Sequence, residues 1–145
     1  MEHDLWVQRP LPHMARVTLV VWIREVRSPI DLTVSRNRLQ ETVRGAERRH
    51  GAPVDVDELL LVFEELASNG LRHGRPPVSV RVVAASGGWL VDVIDAAVER
   101  PPVPAVSRDP ARGGLGLQLV AQLAQAHGWT VDHGRKHVWA CVQAA

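Results

Sequence analysis

Glu65 and Asn69 stand four residues apart in a stretch of helical periodicity, so their side chains point the same way. They set a carboxylate that can accept a proton beside an amide carbonyl that can ligate a magnesium ion. On spacing alone they fit two solvated polar residues better. A second candidate is Gly113-Gly114-Leu115-Gly116, which opens another apolar-periodic segment. Glycines at a helix start let backbone N–H groups approach a phosphate, and the positive end of the helix dipole attracts anionic oxygens; a flexible hinge has the same composition. The run is not a Walker loop, because the Gly-Lys-Ser/Thr ending is absent. Nor is it a Rossmann fingerprint, because it follows a long loop instead of a strand. The third candidate is Asp95, which ends an alternating segment on the parity of Trp89, Val91 and Val93. A carboxylate on that apolar side needs a partner, since burying it unpaired costs several kcal/mol.

Two other groups carry less. His133 and His137 have a spacing that bridges a metal on a helix, but they flank a turn at Gly134 and lack neighbouring Cys or carboxylate ligands. Cys141, in an apolar terminal strand, reads as a small core residue with nothing nearby to activate its thiolate.

The elements that must position these residues follow from periodicity and capping signals. Asp55 followed by Glu58 forms a capping box ahead of a helix from about Val56 to His73, with Leu59, Val62, Phe63, Leu66 and Gly70 on its buried stripe. Glu65, Asn69 and His73 share another stripe, and Gly74 with Pro76-Pro77 stops the helix. After Ser28-Pro29, an amphipathic helix from about Leu32 to Arg49 buries Leu32, Leu39, Val43 and Ala46, with Arg36, Arg44 and Arg48 largely off that stripe as a solvated face. Val17 to Ile23 reads as a first strand, and Val78 to Val82 and Trp89 to Asp95 as a hairpin around Ser86-Gly87-Gly88. Residues 96–112 carry four prolines and no apolar period, the composition of a lid or a disordered loop. The segment from Gly113 then reads as a helix to about His127 with Leu119, Val120 and Leu123 buried and Gly128 as its stop. Strands at Trp129 to Val131 and His137 to Val142 finish the chain. Residues 1–15, with Pro10 and Pro12 and no periodicity, read as an arm outside the core, leaving one domain over 16–145.

The totals exclude several function classes. At 145 residues the chain fits one domain with one core. A net charge of +1, with basic residues spread along the chain, argues against a dedicated nucleic-acid binder. The single cysteine forbids an intrachain disulfide and fits a reducing compartment. The run Val17 to Ile23, apolar but for Thr18, is far short of a membrane span, and no signal-peptide layout precedes it; the expectation is a cytoplasmic protein without a membrane partner.

Taken together, Glu65-Leu-Ala-Ser-Asn-Gly-Leu-Arg-His73, the hairpin ending Val91-Asp-Val-Ile-Asp95, the long loop and Gly113-Gly-Leu-Gly-Leu117 resemble the GHKL superfamily of ATPases. The likeness is nearest to bacterial anti-sigma-factor serine kinases and the short actinobacterial ATP-binding proteins related to them. It runs from about Leu32 to the C-terminus, including Lys136-His137-Val138-Trp139, with three motifs in order and at compatible spacing. The resemblance implies a Bergerat fold: an α/β two-layer sandwich whose mixed, mostly antiparallel sheet carries its helices on one face and holds ATP between the helices and the lid. It implies that Asn69 coordinates the magnesium bridging the ATP phosphates and that Glu65 is the general base. Asp95 would accept from the adenine amino group, supplying the partner its carboxylate lacks. Gly114 and Gly116, within the turn from Gly113 through Leu115, would let the lid close over the phosphates. Arg112 is an unmatched candidate for a phosphate contact, and His73 matches the basic end of the helix motif, with a structural role as an alternative.

One departure stands out: the family's glycine two residues after the aspartate is replaced, Asp95 being followed by Ala96-Ala97. The implied function is an ATP-dependent serine/threonine kinase that phosphorylates a small antagonist protein and sequesters a sigma factor, with a homodimer as a further expectation. The alternatives are a non-catalytic nucleotide-responsive binding module and a detached ATP-binding domain of a sensor histidine kinase.

Overall fold

The inner face of the sheet is mostly apolar, Val and Ala with Trp22, Trp89 and Trp129, and three amphipathic helices cover it. The computed structural model describes residues 6–13, 18–50, 54–85, 87–103 and 115–143; Arg112, Gly113 and Gly114 lie outside them. The elements in chain order are β1 (Thr18–Val26), α1 (Pro29–His50), α2 (Val56–His73), β2 (Val78–Ala85), β3 (Gly88–Asp95), α3 (Leu115–Leu123), β4 (Ala126–Asp132) and β5 (Arg135–Gln143). The strands lie in the order β1-β2-β3-β5-β4, each pair antiparallel. An isolated parallel bridge joins Gln8 to Trp129 outside the named strands.

Register explains the core. Val80 faces Val93 and Val82 faces Val91 across the first hairpin, while Val93 faces Val138 and Val91 faces Ala140 across β3 and β5. All of these are buried with Leu39 and Val43 of α1, Phe63 and Leu66 of α2, and Leu117 and Val120 of α3 in one cluster. The fold is thus the two-layer sandwich that the sequence predicts, with the helices on one side.

Helix α2 spans the predicted residues. Its N-cap Asp55 accepts a hydrogen bond from the Glu58 N–H at 3.0 Å, and the Gly74 N–H closes the last turn on Gly70 O. Helix α1 starts three residues before the predicted Leu32. Pro29 occupies the first helical position, where its missing N–H costs nothing, and Ser28 caps it by accepting from the Asp31 N–H at 3.2 Å. Arg36 pairs with Glu64 of α2 at 3.2 Å.

The last helix departs from expectation. It ends at Leu123, with the Ala124 N–H on Val120 O, and the Gln125 N–H turns to Cys141 O, so that Ala126 to Gly128 pair with β5 as strand. Leu117 and Val120 are the buried residues, whereas Leu119 is 38% exposed and Leu123 half-buried. Gly128 is therefore not a helix stop. A Cβ there would stand 2.9 Å from Arg9 Cβ and 3.1 Å from Val7 O; glycine lets the N-terminal segment lie against β4.

That segment is part of the core at Trp6, which is 3% exposed and packs against the His127 ring at a 4.7 Å centroid distance, the two rings tilted by 58°. Val7 O accepts from the Trp129 N–H and the Arg9 N–H donates to Trp129 O, so residues 7–9 cover the β4 edge. The prolines that break periodicity here mask a wrapped strand-like segment, which is why it reads as an arm. Leu11 continues onto the outer sheet face, against the small cluster of Val83, Leu90 and Trp139. Burial on this face pushes the Cys141 thiol up to about 11, consistent with an inert packing role.

Candidate functional site

Asp95 ends β3 on the helix side of the sheet and is 1% exposed. Its Oδ1 accepts the Ala97 N–H at 2.6 Å and the Arg75 N–H at 3.3 Å. Its Oδ2 receives no hydrogen bond of acceptable geometry, although the Lys136 ammonium lies 3.4 Å away. The contact is thus an ion pair by distance, with an acceptor lone pair left over. Gly74 makes room for it: a Cβ on Gly74 would stand 2.7 Å from Asp95 Cγ. The Asp95 carboxylate thus has a partner within the chain, beside an Oδ2 that accepts no hydrogen bond.

Lys136 faces Asp95 across the β3–β5 ladder and is 2% exposed, held by a 2.8 Å hydrogen bond to Arg100 O. It is the only lysine of the chain. Its parity with Val138, Ala140 and Val142 was the signal that could have found it: a charge on the buried face of a strand needs an opposite charge.

Together with Asn69, Arg72, His73, Arg100, Pro101, Pro102 and Val103, Lys136 lines a cavity of about 290 Å³, near the lower end of the roughly 300–1,000 Å³ of small-molecule sites. Among these residues are three cations and no carboxylate, a lining suited to an anionic ligand. Arg72, one turn beyond Asn69, and Arg100, at the start of the long loop, were not singled out from sequence. Asn69 is 9% exposed. Asn69 and His73 share the cavity, as their common stripe predicts.

One turn back along α2, Glu65 meets the start of α3: a Cβ on Gly116 would stand 2.7 Å from Glu65 Cδ. The absence of a side chain at 116 leaves the carboxylate beside the helix N-terminus. Burial, with the Glu64 charge adding to it, raises the Glu65 pKa above its ordinary value, and Arg72 pulls the other way. A raised pKa makes the carboxylate a stronger base. Gly116→Ala is expected to displace Glu65, lowering stability by about 1–3 kcal/mol, measurable by urea denaturation. Of the remaining glycine turn, Gly113 and Gly114 lie outside the described residues, as does the candidate Arg112; Leu115 is the first residue of α3.

His137 is not placed with His133. Its Nδ1 lies 3.0 Å from Asp92 Oδ2 on the outer sheet face, while His133 pairs with Asp132 in the exposed β4–β5 turn.

The sheet order, the helices on one face and the cavity at the C-terminal end of α2 agree with one family, and the comparison is direct: residues 29–142 match the family model described as a histidine kinase-like ATPase domain. The chain belongs to this family. No curated protein matches it. Membership in the histidine kinase-like ATPase family supports ATP as the ligand, and the site fits such a group in two respects. An orphaned carboxylate oxygen remains on buried Asp95, and cations line the cavity beside Asn69. A single amide oxygen suits magnesium, which is usually held by one or two protein ligands plus phosphates. Ala97, at the departure from the family pattern, is buried, and its N–H serves Asp95; its φ is not positive, so the backbone there makes no demand for glycine. No helix among the described residues is long and apolar enough to cross a membrane.

Proposed function

We propose that this ATPase-family domain is a protein-serine/threonine kinase acting on a small antagonist protein, and that it also sequesters a sigma factor. The observation that carries the kinase reading is Glu65, a raised carboxyl one turn before Asn69 and against the start of α3. In this reading Asn69 holds magnesium, Asp95 reads the base, and His73 with Arg72 and Arg100 faces the phosphates; Gly113, Gly114, Leu115 and Gly116 form the phosphate turn, with Arg112 beside it. ATP supplies the γ-phosphoryl group. Glu65 would take the proton of the serine hydroxyl as the serine oxygen bonds in line to the γ-phosphorus and the β–γ bridging P–O bond breaks, releasing ADP.

Incubation with labelled Mg-ATP and candidate antagonists tests the proposal. Acid-stable label on serine or threonine is expected. Acid-labile label would instead indicate a histidine acceptor and the sensor-kinase alternative, and partner binding without any transfer would select the binding module.

The binding-module reading has its own support in the Asp95–Lys136 pair, which satisfies much of the base-reading carboxylate before any nucleotide arrives. A homodimer and a cytoplasmic location remain part of the proposal.

A further inference from the structure

The base-reading end of the site holds an acceptor and a donor, not an acceptor alone. Asp95 is buried with Oδ2 unfilled, and its ion-pair partner Lys136 is the residue of the two that lines the cavity. An ammonium has three donors. One goes to Arg100 O and one lies toward Asp95, which leaves one for a ligand.

We propose that Lys136 makes this pocket a reader of 6-oxopurine nucleotides, guanine and hypoxanthine, as well as of adenine; this rests on the nucleotide-binding reading above. Adenine offers a donor at its 6-amino group and an acceptor at N1. The 6-oxopurines offer the reverse, an acceptor at O6 and a donor at N1–H. A lone carboxylate accepts from the adenine amino group but repels a 6-oxo oxygen. A carboxylate paired with an ammonium matches both edges: Lys136 donates to O6 or to adenine N1, and Asp95 accepts from the other group. A hydrogen bond to a charged group is worth roughly ten- to hundred-fold in binding, enough to decide between bases.

The test uses the whole chain titrated calorimetrically with the magnesium complexes of ATP, GTP and ITP. The affinities for GTP and ITP are expected within about ten-fold of that for ATP, and in Lys136→Met both should fall at least about ten-fold further than ATP does. Because that variant strands Asp95 and can fail to fold, a second measurement uses the wild type. With ¹⁵N-lysine labelling, the single side-chain ammonium resonance should shift on addition of ITP. Binding of ATP alone, an unchanged ATP-to-ITP ratio in a folded Lys136→Met, or an unmoved resonance at saturating ITP overturns the inference while leaving ATP binding standing. No binding of any of the three overturns both.

Discussion

In Glu65→Gln, phosphoryl transfer to the serine acceptor is expected to fall by roughly 10²–10⁴-fold while Mg-ATP still binds, because glutamine keeps the shape of the side chain but cannot take a proton. The same substitution also changes stability, because the Glu65 carboxyl is partly buried. The Glu65 carboxyl holds its proton to higher pH in the folded chain than in the unfolded one. Over the interval between those two pKa values the folded state binds more protons, so stability falls as pH rises through it. Glutamine abolishes that loss. The variant is expected to be more stable than the wild type near neutral pH, with the difference vanishing as pH falls below the ordinary carboxylate range. Urea denaturation across pH, beside the labelling assay, separates the two effects. Full transfer in Glu65→Gln would remove Glu65 as the base.

The second large effect concerns the buried pair. Asp95→Ala is expected to cost about 3–5 kcal/mol, a large part of a typical domain stability of roughly 5–15 kcal/mol. It leaves the Lys136 ammonium, 2% exposed, without a counter-charge and strips the Ala97 and Arg75 N–H groups of their acceptor. Lys136→Met strands the carboxylate in the same way. The double variant Asp95→Asn with Lys136→Met removes both charges and keeps an acceptor for the two N–H groups, so it should recover most of the loss. Chemical denaturation of the wild type, Asp95→Asn, Lys136→Met and the double variant measures the coupling. Strictly additive losses would mean that the 3.4 Å contact contributes nothing.

Legibility in the sequence tracked how local each determinant is. Helix α2 was readable to the residue because its signals are its own: Asp55 at the cap, apolar residues every three or four positions, Gly74 at the end. The β2–β3 hairpin was readable from alternation and the Ser86-Gly87-Gly88 turn, although β2 runs on to Ala85. The end of α3 was not. Ala126 to Gly128 continue a helical composition and become strand only because Cys141 and Trp139 lie alongside in the ladder. Trp6 is buried by a contact with His127 far along the chain, and nothing near it in sequence announces that. The site divided in the same manner. Of the cavity lining, Asn69 and His73 were visible from their common helical stripe; Glu65, on the same stripe, lies beside Gly116 and outside that lining. The partner of Asp95 was visible only as parity in β5, because Lys136 meets it across a strand pair 41 positions later in the numbering.

Titration calorimetry of Mg-ATP into the wild type and Asn69→Ala tests the central claim, that a magnesium nucleotide occupies the cavity at the end of α2. One site per chain is expected, with affinity at least about ten-fold lower in Asn69→Ala for want of the metal ligand. No binding by the wild type, or equal binding by the two, would contradict it.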